Sequence, residues 1–295
     1  PDQFLPHLLG HEGCGEVLAT GPGVRHVNIE DRVVMHWRKG LGIEAAPPRY
    51  QWQGQPLNAG AITTFNSYAV VSENRLTPIT KNFDQQLAPL LGCAVTTGFG
   101  VVTNNAKLKI GESVAVFGAG GVGLNIIQAA AMVSAYPIIA IDIHANKLEL
   151  AKQLGATHTI NSSEANASEE IQKILKQELL DVAIDNTGNT QVIKECYQLT
   201  HAQGRVILVG VPKHDHDITL HSLALHFGKE ITGSHGGECQ PAEDIPRLIK
   251  LHNAGRLALK ELITDQFPLA NINDAIKRMR NGTIQGRCII HLNHN

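Results

Sequence analysis

Aromatic residues make up only 4% of the 295-residue chain and charged residues 18%, and 25 Lys and Arg against 27 Asp and Glu leave a formal net charge of -2. No block of five or more like charges occurs, so the footprint of a general nucleic-acid binder or a membrane-surface binder is missing. Cysteine is scarce and odd in number. Cys14, Cys93, Cys196, Cys239 and Cys288 are widely scattered in a chain too large to need stapling, which excludes a disulfide scaffold and fits a reducing, cytoplasmic protein. No apolar run approaches the ~18–20 residues of a membrane span, and the opening PDQFLPHLLGHE lacks the basic-then-apolar layout of a secretory signal.

What is present is enough apolar material, 43%, to fill one large core or two ordinary ones. Up to about residue 90 the chain reads as short apolar runs broken by turn residues, such as EVLAT before GPG and then DRVVMHW, which predicts strands and turns. Segment 36–60 has no clear period, contains both tryptophans, and reads as a long excursion. From about residue 95 apolar runs alternate with helix-period segments: SVAVFG, VGLNIIQAAAMVSA, PIIAID, NKLELAKQLG, THTIN, and onward to RVILVGVP. Such repeated βα units predict an α/β fold with a doubly wound parallel sheet. Two further helices over AEDIPRLIKLHNAG and NINDAIKRMRNG then lead to a last strand, RCIIHL.

The strongest local signal is GAGGVG, in which Gly118, Gly120 and Gly123 fit G-x-G-x-x-G between a strand and a helix. Such glycines make a tight turn, admit a pyrophosphate to the backbone and let helix and strand pack closely, with the helix N-terminus, Gly121 and Val122, facing the phosphates. Asp142 stands 19 positions beyond Gly123, near the ~20 expected of the carboxylate that binds an adenosine ribose. Its charge would repel a 2′-phosphate, so NAD is favoured over NADP. His11 in GHEGCGEV and Cys93 in LLGCAVTTGFG carry groups suited to zinc, but their sequence separation alone does not bring them together. The exposed-looking KHDHD (213–217), with His221 and His226, reads as a solvated loop.

In their order along the chain, GHEGCGEV, DRVV, GCAVTTGFG, SVAVFGAGGVGL and IIAIDIHANKLELAKQLGAT resemble the medium-chain, zinc-dependent alcohol dehydrogenase family over nearly the whole chain. The resemblance implies a GroES-like β-rich catalytic domain at 1–94 and 237–295 and a Rossmann NAD-binding domain at 95–236. It implies His11 and Cys93 as ligands of one catalytic zinc, Glu12 beside the metal, and Thr97, Gly118 to Gly123, Asp142 and Lys147 along the NAD site. Val209, Gly210 and Val211 would lie beside the nicotinamide and Arg287 near the pyrophosphate. Cys14 falls on an apolar packing position of the family. The family's first zinc-ligating Cys and its proton relay have no counterpart here, so residues upstream of Pro1 are expected. Its four-Cys lobe corresponds to HWRKGLGIEAAPPRYQWQGQ, which has no Cys, so a structural zinc is not expected.

The expected activity is hydride transfer between an alcohol, or the matching aldehyde or ketone, and NAD, by a homodimer or homotetramer acting on a small molecule. Two alternatives stay open: a zinc-free quinone or enone reductase of the same superfamily, and a catalytically inactive NAD-binding module.

Overall fold

A computed structural model describes residues 4–292. They fall into two compact units, one running up to Thr96 and resuming at Cys239, the other from Thr97 to Glu238.

The first unit opens with β1 (His7–Leu8), β2 (Gly13–Glu16), β3 (Arg32–Met35), β4 (Tyr50–Trp52), β5 (Gln55–Ala59) and β6 (Leu76–Ile79). β2, β3 and β6 form an antiparallel sheet in which Val34 faces Cys14 on one side and Thr77 on the other. Val33 is buried with Val17 and Val27 in a small core, and Val34, whose side chain leaves the other face of β3, is buried as well. The 36–60 excursion is not wholly irregular. It holds the hairpin β4–β5, turned at Gln53 and Gly54, both at positive φ, with β1 added in parallel to β5. Its Gln-rich strands give no apolar alternation, which is why the sequence does not reveal them.

The loop after β3 is held by polar groups. Glu73, Asn74 and Arg75 form a buried helical turn just before β6. The Glu73 carboxylate accepts the backbone N–H groups of Arg25 (2.6 Å), His26 (2.5 Å) and Ile43 (2.8 Å). Loss of water around it works against its charge, but these three amides outweigh that and hold its pKa below the usual carboxylate value. Arg75 donates to the Trp37 carbonyl and pairs at 2.7 Å with Glu44, which also pairs with Lys39.

Helix α1 (Ala94–Gly100) carries the chain into the second unit, where β7 (Val114–Phe117), α2 (Gly121–Met132), β8 (Ile138–Asp142), α3 (Ala145–Gln153) and β9 (His158–Asn161) follow. Next come α4 (Ala167–Ile174), β10 (Leu180–Asp185), α5 (Thr190–Leu199), β11 (Thr200–Leu208) and β12 (Glu230–Gly233). The six strands pair in parallel in the order β12-β11-β10-β7-β8-β9. Winding therefore starts at β7 and reverses between β7 and β10, and right-handed crossovers put the helices of the two halves on opposite faces. Ile139, Ile184 and Val206 are among the residues with no exposed surface, as continuous β-branched runs in a doubly covered sheet demand.

Back in the first unit stand α6 (Pro241–Asn253), β13 (Ile263–Pro268), α7 (Ile272–Arg280) and β14 (Arg287–His291). β13 and β14 pair in parallel. The sequence reading predicts only the second of these strands, because β13, ITDQFP, is largely polar and ends on a proline. Among the described residues, no helix is long and apolar enough to cross a membrane.

Candidate functional site

His11 and Glu12 lie immediately before β2, and Cys93 follows the buried turn of residues 88–92. Gly92 is what lets that turn approach β3: a Cβ there would lie 2.3 Å from the Met35 carbonyl oxygen. This close approach brings Cys93 to His11, 82 positions earlier. One ligand atom each of His11, Glu12 and Cys93 lie within 4.8 Å of one another. An imidazole nitrogen, a thiol sulfur and a carboxylate oxygen at that spacing are a donor set that suits zinc.

The neighbours of this cluster shape its charge. Oε1 of Glu12 accepts the N–H of Ala94 at 2.8 Å, and Oε2 takes the Arg287 guanidinium in an ion pair. His11 keeps solvent access on one side. The protein atoms around its ring, and then the positive charge of Arg287, lower its pKa, so a neutral imidazole, the metal-binding form, is present at neutral pH. The indole N–H of Trp37 donates to Sγ of Cys93 at 3.3 Å. Neither the Arg287 pair nor the Trp37 contact is visible in the sequence, since each joins residues far apart without a motif. His11, Glu12 and Arg287 also line a cavity of about 1570 Å³ in the first unit, with Met35, Leu76 and Ile289 among its apolar walls.

The glycine turn belongs to the second unit and closes β7 onto α2. Gly118 sits at φ +95°, and a Cβ on Gly123 would lie 1.9 Å from the Gly118 carbonyl oxygen, so strand and helix meet at van der Waals limits. A Cβ on Gly120 would meet nothing within 4 Å. The space beside it is open, and with glycine as N-cap no side chain satisfies the first N–H groups of α2. That combination is a cradle for an anion. Asp142 is buried at the end of β8, with one carboxylate oxygen on the Ala119 N–H at 2.8 Å and the other on the His144 N–H at 3.0 Å. It thus fixes the turn, and each oxygen retains a lone pair for a further donor.

The turns after β10 and β11 are tied together beside this cradle. The Asp185 carboxylate accepts from Thr187 N–H and hydroxyl and from Gly188 N–H, and its backbone carbonyl accepts the N–H groups of Val209 and Gly210. Asn186 donates to the Gly118 carbonyl at 3.3 Å. Among the residues singled out from sequence, Gly118 to Gly123, Asp142, Val209 and Gly210 therefore lie in or next to one connected set of turns. Val211 follows them, 89% exposed. Thr97 is buried in α1 and Lys147 lies in the first turn of α3, both in the second unit, whereas Arg287 belongs to the first. Cys14 pairs within β2, and burial pushes its thiol up to about 11, so it stays protonated. His214 and Asp215 in the histidine-rich loop are almost fully exposed.

Residues 1–81 match the family model described as alcohol dehydrogenase GroES-like domain, and residues 121–254 match that described as zinc-binding dehydrogenase. The S-(hydroxymethyl)glutathione dehydrogenase of Haemophilus influenzae is 34% identical over 99% of this chain and 84% of its own length. That of a Synechocystis species is 31% identical over 99% and 86%. Among solved structures, an alcohol dehydrogenase zinc-binding domain protein from Burkholderia ambifaria superposes with a TM-score of 0.88 at 32% identity, covering 99% of this chain and 87% of the other. Benzyl alcohol dehydrogenase from Acinetobacter calcoaceticus gives 0.87 at 30% identity over 98% and 85%.

Proposed function

The chain belongs to the zinc-dependent medium-chain alcohol dehydrogenase family, and we propose that it oxidises a small alcohol, or reduces the matching aldehyde or ketone, with one zinc at His11 and Cys93 and NAD at the glycine turn. The observation that carries this reading is the approach of His11, Glu12 and Cys93 to within 4.8 Å of one another.

His11 and Cys93 would hold the zinc. When bound, zinc supplies a Lewis acid for the oxygen of the alcohol or carbonyl. Glu12 is kept from acting as a permanent third donor by its ion pair with Arg287 and its bond from Ala94, which leaves coordination space for substrate. The neutral state of His11 requires no proton release before it can ligate. On the second unit, the open space at Gly120 and the N-terminus of α2 would receive the pyrophosphate, and Asp142 the adenosine ribose. NAD itself supplies the hydride chemistry. The negative charge of Asp142 disfavours a 2′-phosphate, so NADP should bind poorly.

Relatives that act on S-(hydroxymethyl)glutathione and benzyl alcohol make primary alcohols, aromatic ones included, and hydroxymethyl thiol adducts the first substrates to try. β12 lies at an open edge of the parallel sheet, and pairing of two such edges would give a homodimer, or a homotetramer through a second contact. A cytoplasmic location belongs to the same reading, for a chain whose five cysteines are few and widely scattered.

The test is to measure zinc content and NADH formation with a panel of these alcohols at neutral pH. NADH production that depends on zinc and is lost in Cys93→Ser supports the proposal. Zinc and NAD both bound without turnover of any alcohol would instead make the protein an NAD-binding module. Turnover of enones or quinones with NADPH in zinc-free protein would make it a reductase without metal.

A further inference from the structure

We propose that Trp37 is a positioning residue of the metal site, its indole N–H fixing the direction of the Cys93 sulfur and withdrawing electron density from it. The inference rests on the reading that Cys93 binds the metal, and extends it to a residue in the loop that has no cysteine of its own.

The contact is a donor on a sulfur: Nε1 of Trp37 lies 3.3 Å from Sγ of Cys93, within hydrogen-bond range for sulfur. Indole N–H has no acceptor lone pair and cannot itself bind a cation, so it cannot compete with Cys93 for the ion. It is also neutral, so it leaves the charge of a bound thiolate in place while orienting its lone pairs. Groups of this kind around a metal ligand are what set ligand direction and donor strength.

The indole is held on several sides. The Trp37 carbonyl accepts from Arg75, and the Arg38 guanidinium stacks 5.9 Å from the Trp37 ring centre while its Nε donates to the Cys239 carbonyl at 3.0 Å. The preceding residue, His36, is 1% exposed and is pinned through both ring nitrogens, to the Arg38 carbonyl at 2.7 Å and the Thr77 hydroxyl at 2.9 Å. His36 N–H also donates to the Arg75 carbonyl at 3.0 Å. A side chain restrained at its backbone, at its ring face and through its neighbour presents its N–H in one direction without further loss of entropy. The polar clasp of Glu73, Asn74 and Arg75 therefore does more than close a loop: its mechanical output is a hydrogen-bond donor aimed at Cys93.

The test replaces zinc with cobalt(II), whose charge-transfer absorption from a bound thiolate reports the energy of the sulfur lone pairs, in wild type, Trp37→Phe and the control Trp52→Phe. Trp37→Phe keeps an aromatic ring and removes the donor; Trp52 is exposed. A hydrogen bond lowers the sulfur lone pairs in energy, so its removal should shift the thiolate band to longer wavelength in Trp37→Phe, with no shift in Trp52→Phe. A wild-type band that is unmoved in Trp37→Phe overturns the role of Trp37 while leaving Cys93 as a ligand. No thiolate band in wild type overturns the metal reading itself, and this inference with it. If Trp37→Phe does not fold, the wild-type protein loaded with NMR-active cadmium decides the matter. Coupling from the metal to the Trp37 indole proton supports the hydrogen bond, and its absence overturns it.

Discussion

Arg287, at the first position of β14, donates to the carboxylate of Glu12, 275 positions earlier in the chain, and the same carboxylate accepts the Ala94 N–H at 2.8 Å. One charged side chain from the end of the chain thus restrains an acid that stands next to His11 and within reach of Cys93.

Removing that restraint should have separable effects. In Arg287→Met the mostly buried Glu12, whose side chain is 14% exposed, loses its counter-charge, which should cost about 3 kcal/mol of stability, the low end for a buried pair because both side chains keep some contact with water. The freed carboxylate would also compete with substrate at the metal, lowering kcat by about tenfold or more. Adding Glu12→Gln should recover most of both losses, giving a strongly non-additive cycle. If Arg287 also contacts the pyrophosphate, KM for NAD rises in the single variant and stays raised in the double, because nothing at position 12 restores a guanidinium. Urea midpoints and steady-state kinetics on the four proteins check this; strictly additive losses would contradict it.

The glycine turn offers a contrast between fold and cofactor. Gly123→Ala would put a Cβ 1.9 Å from the Gly118 oxygen and should destabilise the second unit by several kcal/mol, roughly in the range of severe core clashes. Gly120→Ala meets no atom within 4 Å and sits at φ -77°, so stability should change by no more than about 0.5 kcal/mol. Its methyl group would nevertheless occupy the approach of the pyrophosphate, weakening NAD binding by at least about tenfold. Calorimetric titration with NAD checks the pair. Wild-type affinity in a well-folded Gly120→Ala would remove the pyrophosphate from this turn.

His36 predicts a pH dependence. Burial lowers its pKa from 6.5 to about 4, against the raising effect of its hydrogen bonds to Arg38 and Leu76. The ring nitrogen facing the Arg38 carbonyl must carry the proton, so the other accepts from Thr77. Because the folded value lies below the unfolded one, the unfolded state takes up a proton first as the pH falls. The contribution of neutral His36 is thus complete above pH 6.5 and lost between there and about pH 4, amounting to about 3 kcal/mol. Unfolding free energies measured across that range should fall more steeply for wild type than for His36→Gln. Parallel profiles would contradict the assignment.

These features differ in how far they can be read from sequence. The parallel sheet is legible because strands covered on both faces, such as VAVF in β7 and IIAID in β8, are continuous apolar runs. β13 and the β4–β5 hairpin are not, since their half-exposed polar residues carry no such pattern. The cluster of His11, Glu12 and Cys93 rests on Gly92 packing against the Met35 carbonyl, a tertiary fact that no spacing encodes. Trp37, Glu73 and the pairing of Arg287 with Glu12 escape notice for a further reason. Each acts on a partner more than 40 positions away or on bare backbone amides, and leaves no side-chain motif.

The most direct test of the account is anomalous X-ray scattering at the zinc absorption edge from crystals of the zinc-loaded protein. The account predicts one strong peak in the first unit, about 2.1 Å from a ring nitrogen of His11 and about 2.3 Å from Sγ of Cys93. A peak bonded to other residues, or none at this cluster in protein that contains zinc, would contradict it.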